Sequence, residues 1–247
     1  MKVDIRYLTE KKDMIAVYDG LIDPAVCDRL ITELRPIWDN VSWDGETGGG
    51  LDQAMKSSRD CALSVQKIGK GNWNDKFEII ERQIVEGLTS AVAWYQAEFQ
   101  DLHELASIND TGFQLQQYPQ YHGFYRQHVD SIPAHWSSNR VLGCVVYLNT
   151  VEVGGETEFP IHKAAVNPVA GRIVLFPATF THPHVGRPAL SDDKWIISTF
   201  MVNMVTNDES PSVDIQDAFN NKFDEHLHNN EDELSHSHDD TAYVDDF

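Results

Sequence analysis

Apolar positions in this chain follow two different periods. Between Phe77 and Leu102, the residues Ile79, Ile80, Ile84, Leu88, Ala91, Val92 and Tyr95 recur at helical spacing and predict an amphipathic helix. Asp23-Pro24 predicts the start of another helix, running to about Trp38, with aspartate as cap and proline at the first helical position. Residues 1 to 22 alternate enough for a strand or two. From Thr111 to Val205 the pattern shortens to strands and turns, with apolar runs at Val141–Tyr147, Gly171–Pro177 and Trp195–Val202. Ser42 to Arg59 is polar and glycine-rich around Gly48-Gly49-Gly50, which predicts a mobile loop. No internal repeat interrupts this order. Helices followed by many short strands predict an α+β, mainly β, domain.

Composition sharpens the boundaries. The formal net charge of −20 is unevenly spread. Residues 207 to 247 hold 13 acidic side chains against the single base Lys222, and the first 206 residues carry a net charge of −8. The chain therefore divides into a globular domain, 1–206, and an acidic C-terminal tail, 207–247, too polar to offset its own ordering entropy. An acidic surface repels phosphate, so nucleic acid is a poor partner. No apolar run approaches the roughly 20 residues of a membrane span. Met1-Lys2-Val3-Asp4-Ile5-Arg6 has no signal-peptide centre. Cys27, Cys61 and Cys144 are odd in number and widely spaced, and read as free thiols. These features predict a cytoplasmic protein.

Candidate chemistry gathers at His128-Val129-Asp130, at His184 and at Lys194. Two imidazoles and one carboxylate form the facial triad that holds non-haem Fe(II) with three positions open. In a strand, residues i and i+2 point to one face, so His128 and Asp130 can converge on one ion while Val129 faces away. His-x-Asp alone is weak: His238-Asp239-Asp240 in the tail fits it too, but has no apolar neighbours to hold its geometry. His128 instead follows the aromatic-rich Phe124-Tyr125-Arg126-Gln127. His184 lies between two apolar runs, where it would enter a sheet, and His182 competes with it as a ligand. Gly143 and Tyr147 share one face of their strand, and a glycine beside a tyrosine leaves room for a small ligand.

Taken in order, these motifs resemble a known family. Tyr118-x6-Tyr125-x2-His128-x-Asp130, Arg140 through Tyr147-Leu148-Asn149, Gly154-Gly155-Glu156-Thr157-Glu158-Phe159-Pro160 and His184-x-Gly186-x-Pro188-x5-Lys194 are similar to the Fe(II)/2-oxoglutarate dioxygenases of the prolyl 4-hydroxylase type. The resemblance covers about residues 14 to 204, including an opening helix at Leu21 to Ile31. It implies a double-stranded β-helix, or jelly roll, with flanking N-terminal helices. It also implies that His128, Asp130 and His184 are the metal ligands and catalytic centre, with His184 rather than His182 at the right offset from Lys194. Lys194 matches the basic residue that pairs with the C5 carboxylate of 2-oxoglutarate, with Arg187 and Arg172 as reserve candidates. Tyr118 and Tyr147 match tyrosines lining the cosubstrate pocket of the hypoxia-factor prolyl hydroxylases. Two positions depart from relatives' patterns: His122 stands where some carry glycine, and Asp192 where others do.

The implied reaction uses Fe(II), 2-oxoglutarate and O₂, with ascorbate as a reductant, and releases succinate and CO₂. Asp130 argues against a halogenase, which needs that position vacant. The leading expectation is hydroxylation of a prolyl residue in a peptide or protein. Hydroxylation of a free amino acid or other small molecule stays open, as does a non-catalytic metal-binding interaction module. The loop from Trp43 to Arg59 and the segment Ile132 to Ser138 are expected to form a lid over the substrate.

Overall fold

The structure is a computed structural model, which describes residues 3–9, 13–63, 74–100, 108–132, 135 and 137–203. The acidic tail and its His238-Asp240 motif lie outside the described residues, as do parts of the Ile132–Ser138 segment.

Two antiparallel sheets face each other. The larger runs in the order β1 (Asp4–Tyr7), β2 (Ala16–Asp19), β12 (Ile173–Pro177), β9 (Arg140–Tyr147), β14 (Lys194–Asn203), β7 (Phe113–Tyr118), β5 (Arg59–Leu63), β3 (Trp43–Asp44), with β6 (Ile108–Asp110) also on β14. The smaller runs β11 (Ala164–Val166), β10 (Thr157–Phe159), β13 (His184–Gly186), β8 (Phe124–His128), β4 (Lys56–Ser57). This is the expected mainly β jelly roll.

Strand alternation divides the core in two. On β14, Trp195, Ile197 and Met201 join Leu115, Cys144, Val146 and Leu175 against the helices. Ile196 turns inward, with Tyr118, Tyr147, Phe159, Val174 and Phe176 filling the space between the sheets. Each such aliphatic side chain removed from water contributes roughly 1.5–3 kcal/mol. Helix α1 (Pro24–Leu34) buries Val26, Cys27, Leu30, Ile31 and Leu34, and its cap forms as expected, Asp23 Oδ1 accepting from Ala25 N at 2.9 Å. It ends before Trp38 because Pro36 lacks an amide donor. The chain tightens into a 3₁₀ turn, Arg35–Ile37, and then the short α2 (Trp38–Val41), where Trp38 packs at 4.6 Å on Trp195. Helix α3 (Asn74–Glu98) buries Phe77, Ile80, Ile84, Leu88, Ala91 and Tyr95 at the predicted spacing; Ile79 is exposed.

The segment expected as a mobile loop is tied to both sheets. Trp43–Asp44 pairs with β5 and Lys56–Ser57 pairs with β8, while Thr47 and Gly50 bridge each other. The polar residues of this stretch hid pairings only two residues long. Cys27, Cys61 and Cys144 are free and buried, and burial pushes all three thiols upward. No described helix is long and apolar enough to cross a membrane.

Candidate active site

His128 ends β8 and stands directly opposite His184, the first residue of β13. Antiparallel pairing sends opposed side chains to one face, and the two imidazoles meet between the sheets with ring centroids 4.3 Å apart. Asp130 arrives differently from the strand arrangement expected. The strand stops at His128, and the Asp130 and Ser131 amides both turn to the Ala178 carbonyl, at 3.1 and 2.9 Å. Arg140 Nη1 donates to the Asp130 carbonyl at 3.1 Å. Asp130 Oδ1 then lies 3.5 Å from His128 Nε2 and 3.8 Å from His184 Nε2, with the three candidate ligand atoms all within 4.8 Å of one another. A shared divalent ion bridges separations of this kind better than a direct hydrogen bond does.

The histidine tautomers also fit a metal. His128 Nδ1 lies 2.8 Å from the Arg126 carbonyl and His184 Nδ1 3.2 Å from the His182 carbonyl. A carbonyl only accepts, so each Nδ1 carries a proton, which in a neutral imidazole leaves Nε2 with the lone pair that a metal takes. Burial pushes His184 down to about 4, which keeps it neutral. Burial acts to raise the Asp130 carboxyl, but His184, His128 and Arg140 together hold it below the usual range. Tyr125 stacks on His128 at 3.5 Å, and Phe176 packs on His184 at 4.7 Å. His182 is engaged elsewhere, its Nε2 2.8 Å from the Asp13 carbonyl and its Nδ1 2.9 Å from Thr181 Oγ1.

Gly143 comes up against the carboxylate. A Cβ there would stand 2.5 Å from Asp130 Oδ2 and 2.6 Å from the Phe176 ring. Gly143→Ala is therefore expected to weaken Mn(II) affinity by about tenfold, as outer-sphere changes do. Calorimetry checks this; unchanged affinity would mean that Asp130 has room to move.

Lys194 is 2% exposed, and its ammonium donates to the Gly155 carbonyl at 3.1 Å and sits 4.7 Å over the Tyr118 ring. No carboxylate among the described residues forms an ion pair with it. Burial pushes the lysine down to about 8, partly offset by Glu156. An ammonium without a counter-charge is costly in this setting, and a ligand carboxylate suits it. Tyr118 faces Lys194 across the β7–β14 ladder, while Tyr147 faces Ile196 and donates to Thr157 Oγ1 at 2.6 Å. The reserve arginines are used elsewhere: Arg172 pairs with Asp19 at 2.8 Å, and Arg187 pairs with Glu158 at the surface. Sequence reasoning missed a buried Lys56–Asp60 ion pair beside this pocket. A lysine in a polar stretch gives no signal that it turns inward.

A jelly roll with two histidines and a carboxylate facing a common point, and a buried cation deeper between its sheets, defines a metal-dependent oxygenase scaffold. Residues 113–202 match the family model of the 2OG-Fe(II) oxygenase superfamily. Those residues, which include His128, Asp130, His184 and Lys194, form a 2OG-Fe(II) oxygenase domain, which supports a dioxygenase enzyme. Its fold is shared with solved prolyl hydroxylases. A viral collagen prolyl hydroxylase from Paramecium Bursaria Chlorella virus-1, in complex with 2-oxoglutarate, is 18% identical with a TM-score of 0.55, covering 77% of this chain and 97% of its own. A Trichoplax adhaerens prolyl hydroxylase, in complex with a hypoxia-inducible-factor peptide, is 15% identical with a TM-score of 0.57, covering 78% and 85%. A Pseudomonas putida prolyl-4-hydroxylase is 16% identical with a TM-score of 0.56, covering 78% and 94%. No curated protein sequence matches the chain.

Proposed function

We propose that this dioxygenase hydroxylates a prolyl residue in a peptide or protein, converting 2-oxoglutarate to succinate and CO₂. The observation that carries the proposal is the Lys194 ammonium, which has no ion-pair partner among the described residues and is buried over Tyr118 in the interior that also holds the His128, Asp130 and His184 cluster. In this reading Fe(II) would be held by His128, Asp130 and His184, the residues whose candidate ligand atoms converge. Lys194 binds the far carboxylate of the cosubstrate. Tyr118 covers that lysine with its ring, and Tyr147 lines the pocket. Phe159, Val174, Phe176 and Ile196 keep bulk water from the interior. Bound there, Fe(II) would supply, with 2-oxoglutarate and O₂, the oxidising power for replacing C–H by C–OH. Ascorbate serves as the reductant that keeps the iron ferrous. The setting is the cytoplasm, and no nucleic acid or membrane takes part.

The prolyl substrate is supported by the shared fold, two of whose representatives act on collagen or hold a hypoxia-inducible-factor peptide. The test is anaerobic loading with Fe(II) and 2-oxoglutarate, then O₂ in the presence of a proline-containing peptide library. The expected product is a peptide heavier by one oxygen atom on proline, with one succinate formed per product. Oxygen found only on free amino acids would transfer the function to small-molecule hydroxylation. No 2-oxoglutarate turnover under any condition would sink the reading.

A further inference from the structure

We infer that the buried Lys56–Asp60 ion pair is a positioning device for the cosubstrate pocket, acting on Tyr118 through a one-way chain of hydrogen bonds along Gln114 and Gln116. The inference rests on the reading of Lys194 and Tyr118 as that pocket.

The pair joins the two sheets at one edge. Lys56 lies on β4 of the smaller sheet and Asp60 on β5 of the larger, and the chain crosses between them over three residues. Lys56 is 2% exposed and Asp60 0%, with Nζ and Oδ2 2.6 Å apart. A buried ion pair is weak as a source of stability, because the desolvation of both charges offsets their attraction. What this one does supply is direction. Asp60 Oδ1 accepts from Ser58 Oγ at 2.7 Å, and Oδ2 accepts from Lys56 and from Gln114 Nε2 at 2.9 Å. A carboxylate can only accept, so Gln114 must turn its amide nitrogen to Asp60 and its oxygen to Gln116. Gln116 Nε2 donates to that oxygen at 3.1 Å, which turns its own oxygen to Tyr118. Tyr118 then has to donate, and does so at 2.8 Å.

Every step follows from the charge at Asp60. Gln114, Gln116 and Tyr118 alternate along β7, so all three point to one face, and the last of them lies under the Lys194 ammonium. Burial first, and then the Asp60 charge, push the Tyr118 phenol well above its usual range, so it stays a donor. Its proton is thereby committed away from the cosubstrate, and its ring is held where the lysine needs a π face. The Ser42–Arg59 segment seals the start of the chain. Gly45 donates to the Ser58 carbonyl at 2.8 Å, and a Cβ on it would stand 2.0 Å from Ser58 Oγ and 3.0 Å from Asp60 Oδ1. Only a glycine lets backbone close over the carboxylate here.

The test separates positioning from mere support. A Lys56→Met/Asp60→Leu double variant replaces the pair by apolar groups, and Gln116→Met cuts the chain while leaving the pair intact. Binding of 2-oxoglutarate to the Mn(II)-loaded protein without O₂ is measured by calorimetry beside the thermal midpoint. Both variants are expected to raise Kd by about tenfold, with the midpoint within a few degrees of wild type. In turnover, KM for 2-oxoglutarate should rise while kcat changes little. Unchanged Kd in either folded variant overturns the relay. Should the double variant fail to fold, Gln116→Met alone decides. A wild-type protein that binds no 2-oxoglutarate overturns both the relay and the pocket it rests on, whereas normal binding in wild type and variants alike overturns the relay only.

Discussion

Asp130→Ala and His184→Ala are each expected to lower affinity for Fe(II) or Mn(II) by at least about a thousandfold, more than the 10- to 100-fold typical of outer-sphere changes. Turnover should fall below detection. Asp130 is the only anionic donor in the cluster, and without it two neutral imidazoles face a dication whose charge nothing offsets. Losing His184 removes a nitrogen whose tautomer and direction are already fixed by the His182 carbonyl. The informative control is His182→Ala. It lies two residues from His184, is equally buried, and competes with it on sequence grounds. Its ring nitrogens are engaged by Asp13 and Thr181, so its loss should cost stability but leave metal affinity within a few-fold of wild type. Calorimetric titration of the metal-free protein measures all three. If His182→Ala abolished metal binding and His184→Ala did not, the ligand assignment would be reversed.

The contrast between these histidines shows what the chain discloses before folding. Strand periodicity, a local property, put His128 and Asp130 on one face, whereas His184 was separated from His182 by the family resemblance and its offset from Lys194. The apolar run Trp195–Val202 was legible as a strand, and the fold puts Trp195 and Ile197 on one face and Lys194 and Ile196 on the other. Asp130 was only half read. Its proximity to His128 follows from the sequence, but the strand end that delivers it depends on the Ala178 carbonyl, 48 residues away in sequence and visible only in the fold. Lys56 and Asp60 were not legible at all. Their inward direction comes from two short pairings, β4 on β8 and β3 on β5, which leave no hydrophobic period behind. A buried charge is set by what surrounds it, and those surroundings come from the whole chain.

Lys194→Met should weaken 2-oxoglutarate binding by roughly a hundredfold, as truncating one partner of a buried charge pair does, and should also stabilise the cosubstrate-free protein. The two effects share one cause. Burial pushes the lysine from 10.5 down to about 8. Below pH 8 it is charged in both the folded and unfolded chain, so the whole cost of burying the ammonium is present. Between pH 8 and 10.5 the folded lysine gives up its proton while the unfolded one keeps it, so stability rises with pH across that window. The penalty is on the order of 3 kcal/mol. Methionine has a similar length and no charge, so the midpoint at pH 7 should rise by several degrees, and the advantage should fade above pH 10. Cosubstrate binding runs the opposite way. A carboxylate binds the protonated lysine, so wild-type affinity should be flat below pH 8 and fall about tenfold per unit above it, with proton uptake visible as a buffer-dependent heat. Lys194→Met should lose that pH dependence, and Lys194→Arg, which keeps the charge, should bind better than Lys194→Ala. Equal and small effects of all three substitutions would take Lys194 out of the pocket. A stabilised protein that no longer binds its cosubstrate would show that this buried charge is kept for binding, at the expense of the fold.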